Sequence, residues 1–480
     1  MSEMAPAKGP MGKLNGWLHG LFDSDMFTAK QILKIFYPLL LDQFSIHLIM
    51  AVSTALVSSV GQAALAAVSM VNTLSFVVTA VMFALSAGGG VIIAQAKGSG
   101  DEERLRKAVG TAAFLATVSM LVISVVLYFT AEPVINLLYG NAEPLLKEYA
   151  VHYMKLLMLS MVPYALFHAL FTAFRSVGDS KTSLILTLYI NISHLALSIL
   201  FINVLGMGVT GSGLSLIVAR VIGVVVALWW VFKPTGSVRL KVRDLMGVDR
   251  NVARPIIKLS IPFCVEQLLF QGGMVAVQGY LSNWGTTPEM ATLGLAAHAV
   301  ASSVVNLYNA SCSCISQMTG TVCGQCIGAG KIELAKRYKE SMVKGGRLVL
   351  LLTVLVLFPL TPLILKLYNP NPEAVRMIYM MLMLAVFPMP IIWCNVNVPA
   401  TMMCSAGDVQ YSTYTSLLAL LVGRVCVGYV LTIVLNLGPV GIWLAQLLEL
   451  FIRVVLLEKR YRSGKWMRFI TNQKKAEAAG

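Results

Sequence analysis

Charged residues are scarce in this sequence. Only 12% of the 480 residues are Asp, Glu, Lys or Arg, while 57% are hydrophobic and the mean hydropathy is +0.76. A soluble globule of this length needs more polar surface than that to cover its core. The shortage of charge therefore excludes a water-soluble protein and predicts a chain whose main partner is the lipid bilayer.

Cysteine is absent before position 264, and catalytic or metal-binding patterns are lacking throughout. Cys323 and Cys326 have CxxC spacing, but no second pair and no histidine lies at zinc-finger distance. The sequence also lacks a nucleophile and base set and a nucleotide-binding loop. We therefore expect no enzyme, no metal and no cofactor, and we interpret the eight cysteines as packing residues.

The sequence does contain twelve apolar stretches, and a helix that crosses a bilayer takes about 20 such residues. A membrane barrel would show short alternating segments, whereas 115–129 is one continuous run. Helices also satisfy their backbone polar groups internally, as lipid requires. The stretches lie near 33–58, 66–95, 108–131, 148–174, 182–204, 208–233, 256–283, 293–326, 343–366, 375–402, 411–436 and 440–458.

The net charge of +15 is concentrated in every second connection between these stretches. The intervening connections hold mainly Lys147, Lys366 and Arg376. This positive-inside pattern predicts cytoplasmic termini and a cytoplasmic linker in a multi-pass protein of the plasma (inner) membrane. Because topology accounts for the charge, we expect no nucleic-acid partner. The basic clusters lie at 97–107, 175–181, 239–254, 331–347 and 459–475.

One unusual motif occurs twice in the chain. PLLLDQ at 38–43 and PFCVEQ at 262–267 each place an acid and a glutamine inside an apolar stretch, 224 positions apart. The similarity between the two halves extends beyond this motif, so the chain is a duplication. Further matches are ALAAV (64–68) with GLAAH (294–298), IAQAKGSG (93–100) with CGQCIGAG (323–330) and VGD (177–179) with AGD (406–408).

Six spans separate the two copies, so both enter the membrane in the same direction. We predict an all-α integral membrane protein with twelve transmembrane helices, in two parallel six-helix repeats related by a pseudo-two-fold axis along the membrane normal. A substrate cavity would lie between the repeats. The predicted domains are a cytoplasmic N-terminal segment at 1–31, an N-lobe at 32–233, a cytoplasmic linker at 234–255, a C-lobe at 256–462 and a cytoplasmic tail at 463–480.

The N-terminal segment has two open interpretations. Trp17, Leu18, Leu21 and Phe22 suggest a short amphipathic helix at the membrane interface. The alternative is a disordered tail.

The acids of the repeated motif, Asp42 and Glu266, are candidates for cation coupling. An ionisable group at the centre of a membrane costs at least roughly 2.5 to 3.5 kcal/mol, so it should face the bundle interior or water. Pro262 leaves a carbonyl unpaired, and the acid four residues later lies on the same helix face. The neighbouring glutamine can hold a neutral acid by a hydrogen bond. Such a group can bind and release a cation; the alternative is a packing bond between helices.

Seven stretches follow one another at a characteristic spacing: LAAVS (65–69), FRSVGDSK (174–181), GVTGSGLSLIVARVI (208–222), GLAAHAVASSVVNL (294–307), GQCIGAG (324–330), GPVGIWLAQLLELFIR (438–453) and RSGKW (462–466). In them the chain resembles bacterial members of the multidrug and toxic compound extrusion (MATE) family, from about residue 30 to 470. The resemblance implies a secondary antiporter in which an organic substrate leaves as sodium ions or protons enter. It also implies two six-helix lobes around a V-shaped cavity that opens alternately to either side.

The first helix departs from the family pattern. Many bacterial members have an aspartate there, within a pattern like vDtifvG, whereas VSTALVS (52–58) has Ser53 at that position. Asp42 lies about three helical turns earlier and does not simply replace that acid. The seventh helix is closer to the family, because IPFCVEQLLF around Glu266 is similar to the PxxxEQ of a bacterial branch. The resemblance therefore makes Glu266 the first candidate for coupling.

Other polar residues in the spans are candidates for the cavity wall or for bonds between helices. Around the substrate and cation we expect Gln43, Ser53, Gln267, Gln271, Asn306, Asn309, Asn395 and Asn397, with His298 as a candidate proton relay. We interpret Arg220, Arg424 and Glu449 as members of lobe-stabilising pairs.

Protons are favoured over sodium as the coupling ion, because sodium prefers several hard oxygen ligands and the tenth helix offers only amides before Asp408. A sodium site formed by Glu266 with amide and backbone oxygens stays open as the alternative. The acids predict a cationic or amphipathic small-molecule substrate, exported by a monomer. A lipid-linked precursor flippase of the same superfamily is the alternative, but it needs a strongly basic cavity, for which we see only Arg220 and Arg424. A non-transporting scaffold would not need paired buried acids.

Overall fold

The computed structural model describes residues 10–58, 62–138, 143–285, 287–368 and 371–470, except for the side chains of residues 10–15, 47–58, 62–66, 246, 288, 367 and 368. Within these ranges every regular element is a helix, which confirms the predicted all-α class. The helices are α1 (Pro10–Phe22), α2 (Ala29–Ser58), α3 (Gln62–Ser99), α4 (Glu102–Phe129), α5 (Ala131–Leu138), α6 (Pro144–Ser176), α7 (Ser180–Ser198), α8 (Gly208–Val231), α9 (Val242–Met246), α10 (Arg250–Ser282), α11 (Pro288–Gly328), α12 (Ile332–Tyr368), α13 (Pro372–Val386), α14 (Met389–Ser405), α15 (Val409–Ala419) and α16 (Gly438–Arg462).

Each of the twelve predicted spans falls on one long helix or on one helix pair. The first six are α2, α3, α4, α6, α7 and α8, and the second six are α10, α11, α12, the pair α13 and α14, α15 and α16. Ten helices in the described part of the chain are long and apolar enough to cross a membrane, and the bent pair makes an eleventh. α2 takes the remaining span. We refer to α2 to α8 as the N-lobe and to α10 to α16 as the C-lobe.

The tenth span is broken where the sequence suggested one continuous helix. α13 and α14 meet at an angle of 49° around Phe387 and Pro388. Proline lacks an amide proton and disfavours helical geometry in the residue before it. α14 therefore starts afresh with Pro388 as its N-cap and Pro390 in its first turn.

The duplication is visible in the way the fifth and eleventh spans end. α7 continues into a π-helical segment, Ile199–Val204, and α15 continues into Leu420–Val427 and Val430–Val434. The offset between the halves is 229 at VGD and AGD but 230 at the first residues of α8 and α16. The C-lobe thus has one additional residue between these points, and its longer π-helical stretch takes it up.

A left-handed residue follows each π-helical segment at equivalent positions. Gly206 has φ +62° in the N-lobe and Asn436 has φ +52° in the C-lobe. Within the described ranges Asn436 is the one non-glycine residue at positive φ. Asparagine tolerates this conformation better than other non-glycine residues, so the two lobes make the same turn with different side chains.

The N-terminal segment packs against the C-lobe. The Tyr338 hydroxyl on α12 donates to the carbonyl oxygen of Phe22 at 2.9 Å, and the Ser341 hydroxyl donates to that of Leu21 at 2.7 Å. Residues 10–31 are therefore not a disordered tail, and α1 is held by specific contacts. α10 begins at Arg250, inside the predicted linker at 234–255. The predicted domain boundaries stay predictions.

The two lobes meet through reciprocal contacts of α3 and α11 near the end of the bundle that carries the linker. A Cβ atom on Gly98 would collide with the carbonyl oxygen of Gln325, and one on Gly328 would collide with that of Gln95. The Gln95 side-chain amide donates to the carbonyl oxygen of Ser405 at 2.7 Å. The Gln325 amide donates to that of Ser176 at 3.0 Å. We call Gln95, Gly98, Gln325 and Gly328 the clasp.

Candidate functional site

A cavity of about 940 Å³ lies between the lobes. Ala94 and Ser405 line it next to the clasp, so the clasp closes the linker end of the cavity. Its charged lining residues are Arg175 and Arg220 from the N-lobe and Glu266 and Arg453 from the C-lobe. Glu266 is thus the one carboxylate that lines the cavity among the described residues. The uncharged polar lining includes Gln43, Asn72, His168, Asn191, His194, Gln267, Gln317 and Asn397.

Glu266 occupies the C-lobe wall, one helical turn after Pro262 in α10. One carboxylate oxygen lies 3.8 Å from Nη2 of Arg453 on α16, and the other accepts a long hydrogen bond of 3.5 Å from the Thr413 hydroxyl. The Glu266 side chain is 25% exposed. Because its contacts are long and it faces the cavity, Glu266 is not locked to its arginine.

Asp42 is placed differently, although it comes from the same motif. It is fully buried and does not line the cavity, whereas its neighbour Gln43 does. The Gln43 amide donates to Oδ2 of Asp42 at 3.2 Å, while Oδ1 has no hydrogen-bond partner among the described residues. The positive charge of Arg175 interacts electrostatically with Asp42, and Thr187 is the other polar neighbour of Asp42. Asp42 is therefore enclosed by protein and does not face the cavity.

The N-lobe side of the cavity includes an aromatic row between two arginines, in which Phe167 and Phe171 are buried. Tyr164, Phe167 and Phe171 follow one another along α6, with ring centroids 6.5 and 6.0 Å apart and nearly parallel planes. The guanidinium of Arg220 lies 4.2 Å from the Tyr164 ring centroid at one end. The guanidinium of Arg175 lies 4.8 Å from that of Phe171 at the other. These spacings place both arginines at cation–π distance from the row.

The predicted cavity residues divide into three groups. Gln43, Gln267 and Asn397 line the cavity. The Ser53 side chain lies outside the described residues. The other five do not line the cavity, so their predicted location is corrected: Gln271, His298, Asn306, Asn309 and Asn395.

Their contacts explain why these residues lie elsewhere. His298 accepts a hydrogen bond from the Trp443 indole at 3.2 Å, in the N-terminal third of α11. Asn395 accepts one from Arg347 of α12 at 3.1 Å. Since residues two positions apart in a helix face nearly opposite directions, Asn395 cannot share the cavity face with Asn397. Asn306 and Asn309 contact each other at 3.4 Å.

The three residues interpreted as lobe-stabilising also divide. Arg424 and Glu449 form a buried ion pair, with Nε 2.7 Å from Oε2 and both side chains less than 10% exposed. Arg220 instead donates to the Ser160 hydroxyl at 2.5 Å and has no carboxylate within 4.0 Å among the described residues. It faces the cavity rather than a pairing partner. The stabilising role of the Arg424 pair stays a prediction.

Two of the charged cavity residues were not singled out from the sequence as site residues. Arg175 was counted among the basic residues that set topology, because it stands at the end of a span. Arg453 is the last residue of the family-like stretch GPVGIWLAQLLELFIR (438–453) in α16. Only the folded structure brings it close to Glu266. Helical spacing within α16 offers no signal for that contact.

Comparisons with known proteins agree with this architecture. The family model MatE matches residues 38–200 and 262–430, one match in each half and together more than half of the chain. The chain is 24% identical over 418 residues to the probable multidrug resistance protein YoeA of Bacillus subtilis, which covers 84% of this chain and 86% of that protein. It is 22% identical over 455 residues to the probable multidrug resistance protein NorM of Thermotoga maritima, with 91% and 93% covered.

Solved structures show the same fold. An outward-facing multidrug resistance transporter of the MATE family and MOP superfamily superposes with a TM-score of 0.80 at 20% identity. The superposition covers 93% of this chain and 96% of that one. The predicted arrangement of twelve helices in two repeats is therefore confirmed.

Proposed function

Since the chain belongs to the MATE family of membrane transporters, we propose that it is a proton-coupled secondary antiporter that exports amphipathic organic molecules by alternating access. It is a small-molecule transporter and not an enzyme. The observation that carries the proposal is Glu266, an acid inside the membrane-spanning bundle that faces an interlobe cavity through long, exchangeable contacts.

The surroundings of Glu266 favour a proton over a sodium ion. Sodium needs several oxygen ligands, whereas Glu266 is the one cavity carboxylate within the described residues. Arg453, 3.8 Å away, repels a second cation at this position. A proton avoids that repulsion because it neutralises the carboxylate. Protonation then releases Arg453 from its counter-charge and changes the charge of the C-lobe wall.

Alternating access requires the clasp to open. In the described conformation the clasp closes the cavity at the linker end. The basic clusters in the linker and at the C-terminal end support a cytoplasmic location of that end by the positive-inside rule. Substrate would enter when the clasp opens and leave toward the other side when it closes. We assign the protein to the plasma membrane as a monomer. A lipid-linked precursor flippase is not favoured.

The test uses purified protein in liposomes with an acidic lumen, so that protons leave while dye enters. Two amphipathic dyes with the same pyrene body are supplied, pyrenesulfonate and pyrenylmethyl-trimethylammonium. We expect at least one dye to accumulate with the pH gradient, independently of sodium. Glu266→Gln should abolish this accumulation, because glutamine cannot carry the proton.

The matched control is Glu333→Gln, which changes an 86% exposed acid on α12 and should transport normally. Accumulation by Glu266→Gln at the wild-type rate at every pH would contradict the assignment of Glu266. Dye accumulation driven by a sodium gradient, and not by a pH gradient, would show that the coupling ion is sodium rather than the proton. If neither dye accumulates under either gradient, the proposed antiport is wrong.

A further inference from the structure

The cavity carries more positive than negative charge. Three guanidinium groups line it, from Arg175, Arg220 and Arg453, against the single described lining carboxylate of Glu266. Two of the three arginines interact with an acid: Arg453 lies near Glu266, and Arg175 interacts electrostatically with the buried Asp42. The third cation, Arg220, is not balanced in this way. The expectation of a cationic substrate, which came from the buried acids alone, therefore does not fit this lining.

Arg220 is surrounded by neutral groups. Its Nη1 donates to the Ser160 hydroxyl at 2.5 Å and lies 3.7 Å from the Met161 sulfur. Its guanidinium stacks on Tyr164, and its positive charge interacts electrostatically with His194 of α7. A charged group inside a membrane is costly unless it is paired or faces water. The cavity-facing side of Arg220 thus offers a cation without a protein counter-charge.

The cavity lining near Arg220 also contains aromatic side chains. In the row of nearly parallel rings beside Arg220, Phe167 and Phe171 are buried, and Tyr164 is partly exposed. Phe83 of α3 and Phe263 of α10 also line the cavity. Aromatic side chains bind flat ring systems through large apolar contact. An acidic group and an aromatic body can therefore be held on the same wall.

We propose that the N-lobe wall binds an organic anion, with its sulfonate or carboxylate group on Arg220 and its apolar body against the exposed parts of Tyr164 and Phe83. The inference rests on the transport function proposed above and names its substrate class. Arg220 acts here as a specificity-determining residue.

The experiment compares the two pyrene dyes in the same liposome assay. They share one ring system, and the charge of each is fixed over the working pH range, so their difference reports the preference for charge. We expect the wild-type protein to transport pyrenesulfonate at least about tenfold faster than the trimethylammonium dye, as the loss of one charge-assisted hydrogen bond implies. Arg220→Gln should remove this preference, and Arg220→Lys should keep most of it.

Arg239→Gln is the matched control, since Arg239 is an exposed arginine of the linker. It should leave both rates unchanged. Faster transport of the cationic dye by the wild-type protein would overturn the anion proposal while leaving antiport intact, and this result needs no variant. Arg220→Gln could instead lower the transport rates of both dyes in equal proportion, with Arg220→Lys equally impaired. This result would also overturn the anion proposal, because Arg220 would then have a structural role. Transport of neither dye by the wild-type protein would overturn the antiport and this inference together.

Discussion

The two copies of the repeated motif place their acids in different environments. In the C-lobe, Glu266 lines the cavity and contacts Arg453 at 3.8 Å. In the N-lobe, Asp42 is fully buried and its glutamine neighbour, Gln43, lines the cavity instead. Aspartate is one methylene shorter than glutamate, which limits its reach from the helix. Duplication of a sequence motif therefore preserves its position in the fold without preserving the exposure on which its chemistry depends.

The largest difference we expect between the lobes concerns the acids themselves. Asp42→Asn should keep at least about a third of the wild-type transport rate, because an amide of the same shape can retain the hydrogen bond with Gln43. Glu266→Gln should lose proton-driven transport entirely. Initial rates of dye uptake under a fixed pH gradient measure both. Equal loss in the two variants would show that the enclosed acid also takes part in coupling.

A second contrast concerns the arginines inside the lobes. Arg424→Met should lower the free energy of unfolding by about 3 to 5 kcal/mol, because it leaves Glu449 buried without its counter-charge. Arg220→Met strands no described carboxylate and should cost less, under about 2 kcal/mol. The unfolding midpoint in detergent reports both changes.

The double variant of Arg424→Met with Glu449→Gln is the control for this contrast. It should recover much of the lost stability, because the stranded charge is gone. The interpretation fails if Arg220→Met is as damaging as Arg424→Met, or if the double variant is no more stable than the single one.

The smallest effect we expect concerns the turns after the π-helical segments. Gly206→Asn copies the residue found at the equivalent position of the C-lobe, Asn436, and should cost less than about 1 kcal/mol. No atom lies within 4 Å of a Cβ added to Gly206, so only the backbone conformation matters. Gly206→Val should cost more, because a β-branched residue disfavours positive φ. Equal costs for Asn and Val in the same unfolding measurement would show that the conformation is not the cause.

Much of the fold could be predicted from the sequence, because lipid permits few alternatives. Long apolar runs fix the spans, and matching stretches in the same order, at offsets of 224 to 230, fix the two parallel repeats. The break between α13 and α14 also has a local signal, namely Pro388 and Pro390 within one turn. The prediction missed it because the surrounding residues are uniformly apolar and form one stretch by composition.

The cavity wall was harder to predict, because it depends on which helix faces are turned toward each other. Asn395 and Asn397 are equally polar and two positions apart, yet only Asn397 lines the cavity. Arg175 has the same composition signal as other basic residues at span ends, although it stacks on Phe171 inside the lobe interface. The pairing of Arg453 with Glu266 joins residues from the last and the seventh spans. No spacing along the chain encodes such a contact.

The clasp at the linker end determines how this barrier can fail. Its four residues carry no charge, so ionic strength does not directly change the strength of their contacts. Each glycine lies against the main chain of the opposite lobe, and each glutamine holds a carbonyl across the interface, in two equivalent halves. Both glycine contacts lie between α3 and α11, so a separation of these two helices breaks both halves. The seal therefore breaks as a unit, and a partly open state through which protons could leak without cargo has little structural support.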